Sequence, residues 1–399
     1  MPQTASVENE ALSQARRVAE GLGDALRDLV DAIPGQPHKP TSLARRVGMN
    51  RVTASKLLNG IGRDDPFEVL QQIPGPESLR SLTDAARHMD VPPGIVEQAA
   101  RHIDDFAELI RAQFGTRDAL NAAISSASES LLKRFHEGSR YDIFKGIRQL
   151  RGVEANTWLT SMIFSPAFDD DNAVAVTTIH GALGMRRLRP DVGVYFIFGK
   201  PYHAPGDEPD PSQSPVALHE FYENDPAPLV TELSGGKLIH RLTHDELGKQ
   251  AIVDMLAVSH SPKGSGRYAP PNGSRRGVAI FPDIPVRTMV CDALIHRDIF
   301  PGSEPELLVY NTGVRGPANP NDPTRDIDLM EVPESIEVVP DDDERFHLTE
   351  VPRYQSMVER VFGRIGHDLS DFRLFRLRMA YPVHGFQFVM AFDAPDQPG

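Results

Sequence analysis

The stretch Thr41-Ser-Leu-Ala-Arg-Arg-Val-Gly-Met-Asn-Arg-Val-Thr-Ala-Ser-Lys-Leu-Leu-Asn-Gly60 is the most informative part of the 399-residue chain. It reads as two short helices joined by a tight turn. Leu43 and Val47 lie one turn apart and form the inward face of the first helix. Ala44 is small where a second helix crosses close to it. Gly48 takes the turn, where a positive φ is free of steric cost only for glycine. Met49 plugs the corner. Asn50 is placed to cap the second helix by accepting a backbone N–H. Ala54 and Leu57 turn that helix toward the core. Its remaining face offers Asn50, Arg51, Val52, Ser55, Lys56 and Asn59 to solvent.

The charge around this stretch is independent of its apolar pattern. The chain carries 42 Lys+Arg against 56 Asp+Glu, a formal net charge of −14. A generic nucleic-acid coat or membrane-surface protein is basic, so the total argues against both. Yet Gln36–Arg63 holds six basic residues (Lys39, Arg45, Arg46, Arg51, Lys56, Arg63) and no acid. The other 371 residues hold 36 basic and 56 acidic groups, a net of −20. Six charges are about what a small domain needs to neutralise phosphates along a duplex.

The string from Leu43 to Leu58 resembles the helix-turn-helix of bacterial transcription regulators. It is similar to the heads of lactose-repressor-like, phage-repressor-like and isocitrate-lyase-regulator-like families, which usually carry Val or Ile where Ala54 stands here. The resemblance covers about 20 of the 399 residues. It implies contact with double-stranded DNA: base edges from Arg51, Val52 and Lys56, and phosphates or flanking positions from Asn50, Ser55 and Asn59. Arg45 and Arg46 belong to the same approaching face. Arginine can read guanine bidentately, and valine can touch a thymine methyl. A homodimer formed through the helices over about residues 93–136 would read two half-sites about one helical turn apart. No strand pair directly follows Asn59, so a winged form is not expected. The remaining chain lacks the strict β-α alternation of a lactose-repressor-like effector domain.

Outward from this motif, the first 150 residues read as helical. Leu22, Leu26, Leu29 and Ile33 recur at three- and four-residue steps until Pro34-Gly35. Short helices follow over Pro66–Ile73 and Glu77–His88. After Pro92-Pro93-Gly94, Val96, Ala99, Ile103, Phe106 and Ile110 step 3-4-3-4, the spacing of a coiled-coil seam. Gly115 breaks it and Thr116 is placed as an N-cap. A further helix sets Leu120, Ile124, Ala127, Leu131 and Phe135 on one stripe. Two readings of residues 93–136 stand: a dimerisation element, or helices packed within the same chain. From about residue 155, short apolar runs alternate with Pro/Gly/Asp loops and read as strands. Phe372–Tyr381 and Phe386–Phe392 read as a hairpin. Pro201–Pro228, Ser261–Gly277 and Arg315–Pro323 read as surface loops. The expected class is α+β: an all-helical head (1–90), a long-helix linker or dimerisation element (91–150) and a mixed β-rich body (151–399).

Other constellations point to plainer roles. On a helix His240 and His244 would have the i, i+4 spacing of a metal pair, but Leu238, Ile239 and Leu242 point to a strand at His240, and no third ligand is assignable. Ser234-Gly235-Gly236-Lys237 lacks the rest of a phosphate loop and reads as a turn. Cys291, Asp292 and His296 are adjacent in sequence, but Cys291 sits in an apolar run and reads as a core thiol. Arg376 and Arg378 share one strand face, available to an anion or to solvent. The sequence names no catalytic set, no metal and no cofactor. A single cysteine, no basic-then-apolar leader and no apolar run near the ~20 residues of a bilayer span give a cytoplasmic expectation. Three functions stand in order: a DNA-binding regulator whose body senses a small-molecule or protein effector or oligomerises; a scaffold using the helical pair for protein contacts; and an enzyme with a site in the body.

Overall fold

The structure, a computed structural model, describes residues 3–197, 216–234, 237–243 and 246–398. A helical N-terminal region precedes a mixed-sheet region, as α+β requires. The chain divides into two compact units, Met1–His136 and Glu137–Gly399.

The first unit contains α1 (Gln3–Ala32), α2 (Pro40–Val47), α3 (Arg51–Ile61), α4 (Pro66–Gln72), α5 (Pro76–Arg87), α6 (Pro93–Leu109), α7 (Arg117–Ser125) and the start of α8 (Glu129–Arg151). Proline opens α2, α4, α5 and α6, where its missing N–H costs nothing. Asp65 caps α4 by accepting from the Phe67 and Glu68 N–H groups, and Thr116 caps α7. One core joins these helices: Leu22 and Leu26 of α1, Leu57 of α3, Ile103 and Phe106 of α6, and Leu131 of α8 are all fully buried. Helices α1 and α6 cross so closely that a Cβ on Gly21 would stand 2.6 Å from the His102 ring.

The apolar seam of α6 is therefore used up inside the head, because it supplies the wall on which α1 packs. A separate linker over 91–150 is not what forms; the first unit runs to His136, and its boundary falls within α8. The stripe expected from Leu120 to Phe135 is also interrupted. Ser125 and Ser126 donate their hydroxyls to the Ala122 and Ala123 carbonyls at 2.6 and 3.0 Å, and Ser128 accepts from the Leu131 N–H. Such side-chain bonds compete with the helical ladder and split α7 from α8.

The second unit is built on an eight-stranded sheet. Its path is β12 (Glu337–Val339), β13 (Phe372–Ala380), β10 (Val286–His296), β1 (Val153–Pro166), β2 (Ala173–Arg187), β8 (Val253–Gly266) and β4 (Val216–Ala217), with β5 (Asp225–Pro226) also on β8. The β1–β10 pair is parallel and the β1–β2 pair antiparallel. A second sheet orders β11 (Glu306–Asn311), β14 (Phe386–Asp393) and β9 (Arg275–Ile280); a third orders β3 (Tyr195–Ile197), β7 (Lys237–Leu242) and β6 (Leu229–Ser234). One face of the large sheet buries Met289, Cys291 and Phe375 with Phe388 and Phe392 of β14. The other buries Leu159, Val290 and Leu374 with Met357, Val361 and Phe362 of α9 (Tyr354–Ile365). Cover on both faces explains why the central strands read as continuous apolar runs.

Two loop or hairpin expectations are corrected. The strands β13 and β14 do not pair; the Pro382–Gly385 turn carries the chain from the large sheet to the second one. Ser261–Gly277 is strand at both ends: β8 continues to Gly266 because Ser265 and Gly266 pair with Val174 and Ala173, and β9 starts at Arg275. Of the expected proline-rich loop, residues 201–215 lie outside the described residues.

Candidate nucleic-acid interface

The turn between α2 and α3 has the anticipated geometry. Gly48 adopts φ 69° and ψ 21°, and the Met49 N–H reaches the Ala44 carbonyl at 3.1 Å. Asn50 lies outside the helix, and its Oδ1 accepts from the Thr53 N–H at 2.8 Å. Leu43, Ala44, Val47, Ala54 and Leu57 are buried and fix α2 against α3. The far end of α3 is pinned by close approach: a Cβ on Gly60 would lie 2.6 Å from Ile73 Cγ2.

This packing leaves one face of α3 outward. Asn50, Arg51, Val52, Lys56 and Asn59 are exposed and Ser55 is half-buried. At 100° per residue, positions 51 to 59 on this face cover an arc of about 140°, opposite Ala54, Leu57 and Ile61. Val52 keeps 66% of its surface exposed, which leaves its methyl groups free on this face. Among the described residues, Arg45, Arg51 and Lys56 form no ion pair and no side-chain hydrogen bond, so their charges are uncompensated locally.

Two of the six basic residues are already engaged. Arg46 donates to the Pro34 carbonyl, closing the loop after α1. Its guanidinium also fills the space beside Gly35, where φ is +99°. Arg63 pairs with Glu68 at 3.7 Å. The partner of Arg46 is a backbone carbonyl twelve residues back, which no local pattern in the sequence marks.

No protein-family model matches the chain, and no curated protein matches it.

The weaker sequence constellations come apart in the structure. Strand alternation separates Cys291 from Asp292: the thiol enters the core shared with β14, while the carboxylate points to α9. Burial and the neighbouring Asp292 push the Cys291 thiol well above its ordinary pKa, so it is not poised as a thiolate. Asp292 accepts from Tyr354 Oη at 2.6 Å and from Arg376 Nε and Nη2 at 2.8 and 2.7 Å. Ser161 Oγ lies 2.8 Å from the same tyrosine oxygen. Arg376 is thus buried and neutralised rather than open to an anion, and Arg378 pairs with Glu350. Sequence reading missed this network because its bonded partners lie up to 193 residues apart.

His240 lies in strand β7, not on a helix, and His244 and Asp245 lie outside the described residues. Nearby His180 is pushed down to about 3 by burial and then by the charge of His240. In the Ser234–Lys237 stretch, Gly235 and Gly236 lie outside the described residues; Ser234 and Lys237 face each other across the β6–β7 pair. Among the described residues, no group of three or more His, Cys, Asp and Glu is placed to hold a metal ion. Among the same residues, no helix is long and apolar enough to cross a membrane.

Proposed function

We propose that the head binds double-stranded DNA, with α3 in the major groove, and that the protein is a transcription regulator. The observation that carries this is the outward face of α3: Arg51, Val52, Lys56 and Asn59 are exposed, supported by a buried face and a capped N-terminus. Arg51 and Lys56 supply cations for base edges or phosphates, and Val52 an apolar contact for a thymine methyl. Asn50, Ser55 and Asn59 flank them, and Arg45 approaches the backbone from α2. Arg46 contributes by holding the loop after α1 rather than by touching DNA. Two copies would read paired half-sites. The Glu137–Gly399 unit would serve as the sensing or oligomerisation part, in a cytoplasmic protein.

Fluorescence anisotropy of the full chain on random duplex DNA, repeated at several salt concentrations, tests the reading. Non-specific affinity should fall in the 10⁻⁴–10⁻⁶ M range typical at physiological salt and weaken linearly on a log–log scale as salt rises. Arg51→Ala combined with Lys56→Ala should reduce the salt slope by about two. Absence of binding at low salt, or binding untouched by the double substitution, overturns the reading. Recovery of genomic DNA bound to the purified protein would then give the operator.

A further inference from the structure

Four charged groups from four elements meet at one end of the large sheet. The Glu154 side chain, on β1, is only 2% exposed. Arg148 of α8 donates to it at 2.6 Å, Arg186 of β2 at 2.7 Å and Arg287 of β10 at 3.3 Å. The Phe144 ring lies beside two of these guanidiniums, each 5.6 Å from its centroid. Burial alone would raise the Glu154 pKa, but hydrogen bonds from Arg148 and Arg186 and the charge of Arg287 hold it below the ordinary value.

The charge does not balance. One carboxylate faces three guanidiniums, an excess of two positive charges. Among the described residues, no other acidic side chain pairs with any of the three. The C-terminus of α8 adds about half a negative charge, and Arg151 in the same last turn offsets it. The three arginine side chains are 25%, 33% and 37% exposed, so each keeps N–H groups within reach of solvent. Structural ion pairs normally neutralise; this one is left cationic on a chain whose net charge is −14.

We propose that Arg148, Arg186 and Arg287 form a binding site for a phosphate dianion, either inorganic phosphate or the terminal phosphate of a small molecule. Guanidinium forks match phosphate oxygens in geometry. The excess of two charges fits a phosphate monoester, which carries close to two negative charges at pH 7; a phosphodiester of the DNA backbone carries one. Glu154 gathers the three arginines and holds them in place. The site lies within the Glu137–Gly399 unit and stands whether or not the head binds DNA.

Calorimetric titration of the full chain with inorganic phosphate, against chloride at matched ionic strength, tests this. Phosphate should bind saturably, one per chain, more tightly at pH 8 than at pH 5, where it holds a single charge. Arg186→Gln and Arg287→Gln should each weaken binding by about tenfold or more, the value of one charge-assisted hydrogen bond. Arg287→Lys should keep part of the affinity. Glu154→Gln should tighten binding, because the anion no longer shares its donors with a carboxylate. Heats no larger for phosphate than for chloride would overturn the proposal and need no variant. Affinity unchanged in both Gln variants would also overturn it. So would a short duplex that displaces phosphate and loses its own affinity in Arg287→Gln, which would make the cluster a DNA-backbone contact.

Discussion

At the residue scale, Asn50, Arg51 and Arg46 share one charged stretch but do different jobs. Asn50 satisfies an orphan donor at the start of α3. Asn50→Ala should destabilise the chain by about 1 kcal/mol in urea unfolding, the usual cost of a lost cap. Arg51 is exposed and forms no ion pair or side-chain hydrogen bond among the described residues, so Arg51→Ala should stay within about 0.5 kcal/mol of wild type while weakening DNA binding. Arg46→Ala should show the reverse pattern, lowering stability through the Pro34 carbonyl more than it lowers affinity. An Arg46→Ala variant of full stability and poor DNA affinity would contradict that assignment. Gly48 and Asn50 were legible in the sequence because their roles depend on neighbours within four residues. The role of Arg46 was not, because its partner lies across a loop. Glu154 adds a pH dependence. Its folded pKa is depressed, so its contribution is complete above the ordinary carboxylate range and is lost as pH falls through the folded value. Denaturation between pH 7 and pH 3 should show a shallower acid loss for Glu154→Gln than for wild type. Parallel curves would mean that the three arginines do not favour the charged form.

At the element scale, the sequence shows which segments are strands far better than which strands pair. Phe372–Tyr381 and Phe386–Phe392 have hairpin spacing, and both are strands. Pairing is decided instead by faces the local pattern cannot see. Residues 374 and 376 of β13 face α9, while Phe388 and Met390 of β14 join a core on the other side. Helix α6 teaches the same point: its 3-4-3-4 seam is real, but a seam fits an intrachain partner as well as a second copy, and α1 takes it. The attachment of α9 to the sheet can be tested through Tyr354. Its hydroxyl, pushed well up by burial and by Asp292, stays protonated and donates to that carboxylate. Tyr354→Phe removes one donor from a buried charge and should cost about 1–3 kcal/mol. Asp292 would keep both Arg376 bonds, so the variant should fold. A loss under about 0.5 kcal/mol would mean that the network adds little to holding the helix.

At the scale of the whole molecule, the boundary at His136 changes what the charge pattern means. The first unit holds 16 basic and 18 acidic residues, a net of −2, and the second holds 26 and 38, a net of −12. The positive island therefore sits on a nearly neutral unit, and most of the acidity lies outside it. A fragment cut at residue 90 would lose Ile103, Phe106 and Leu131 from a single core and leave Leu22 and Leu26 uncovered. Large core truncations of even one side chain cost about 2–5 kcal/mol, against a total stability of about 5–15. Residues 1–90 should therefore fail to unfold cooperatively, whereas residues 1–136 should melt as one unit. The longer fragment then isolates the electrostatics. Freed of twelve net negative charges, it should bind random duplex DNA more tightly than the full chain at low salt. That advantage should shrink as salt rises, because exposed charges are screened over about 10 Å at 0.1 M. Anisotropy titrations of both proteins across a salt series read this directly. An advantage that persists at high salt would mean the body blocks α3 sterically. Tighter binding by the full chain would mean that the body supplies contacts of its own, and that DNA is not held by the head alone.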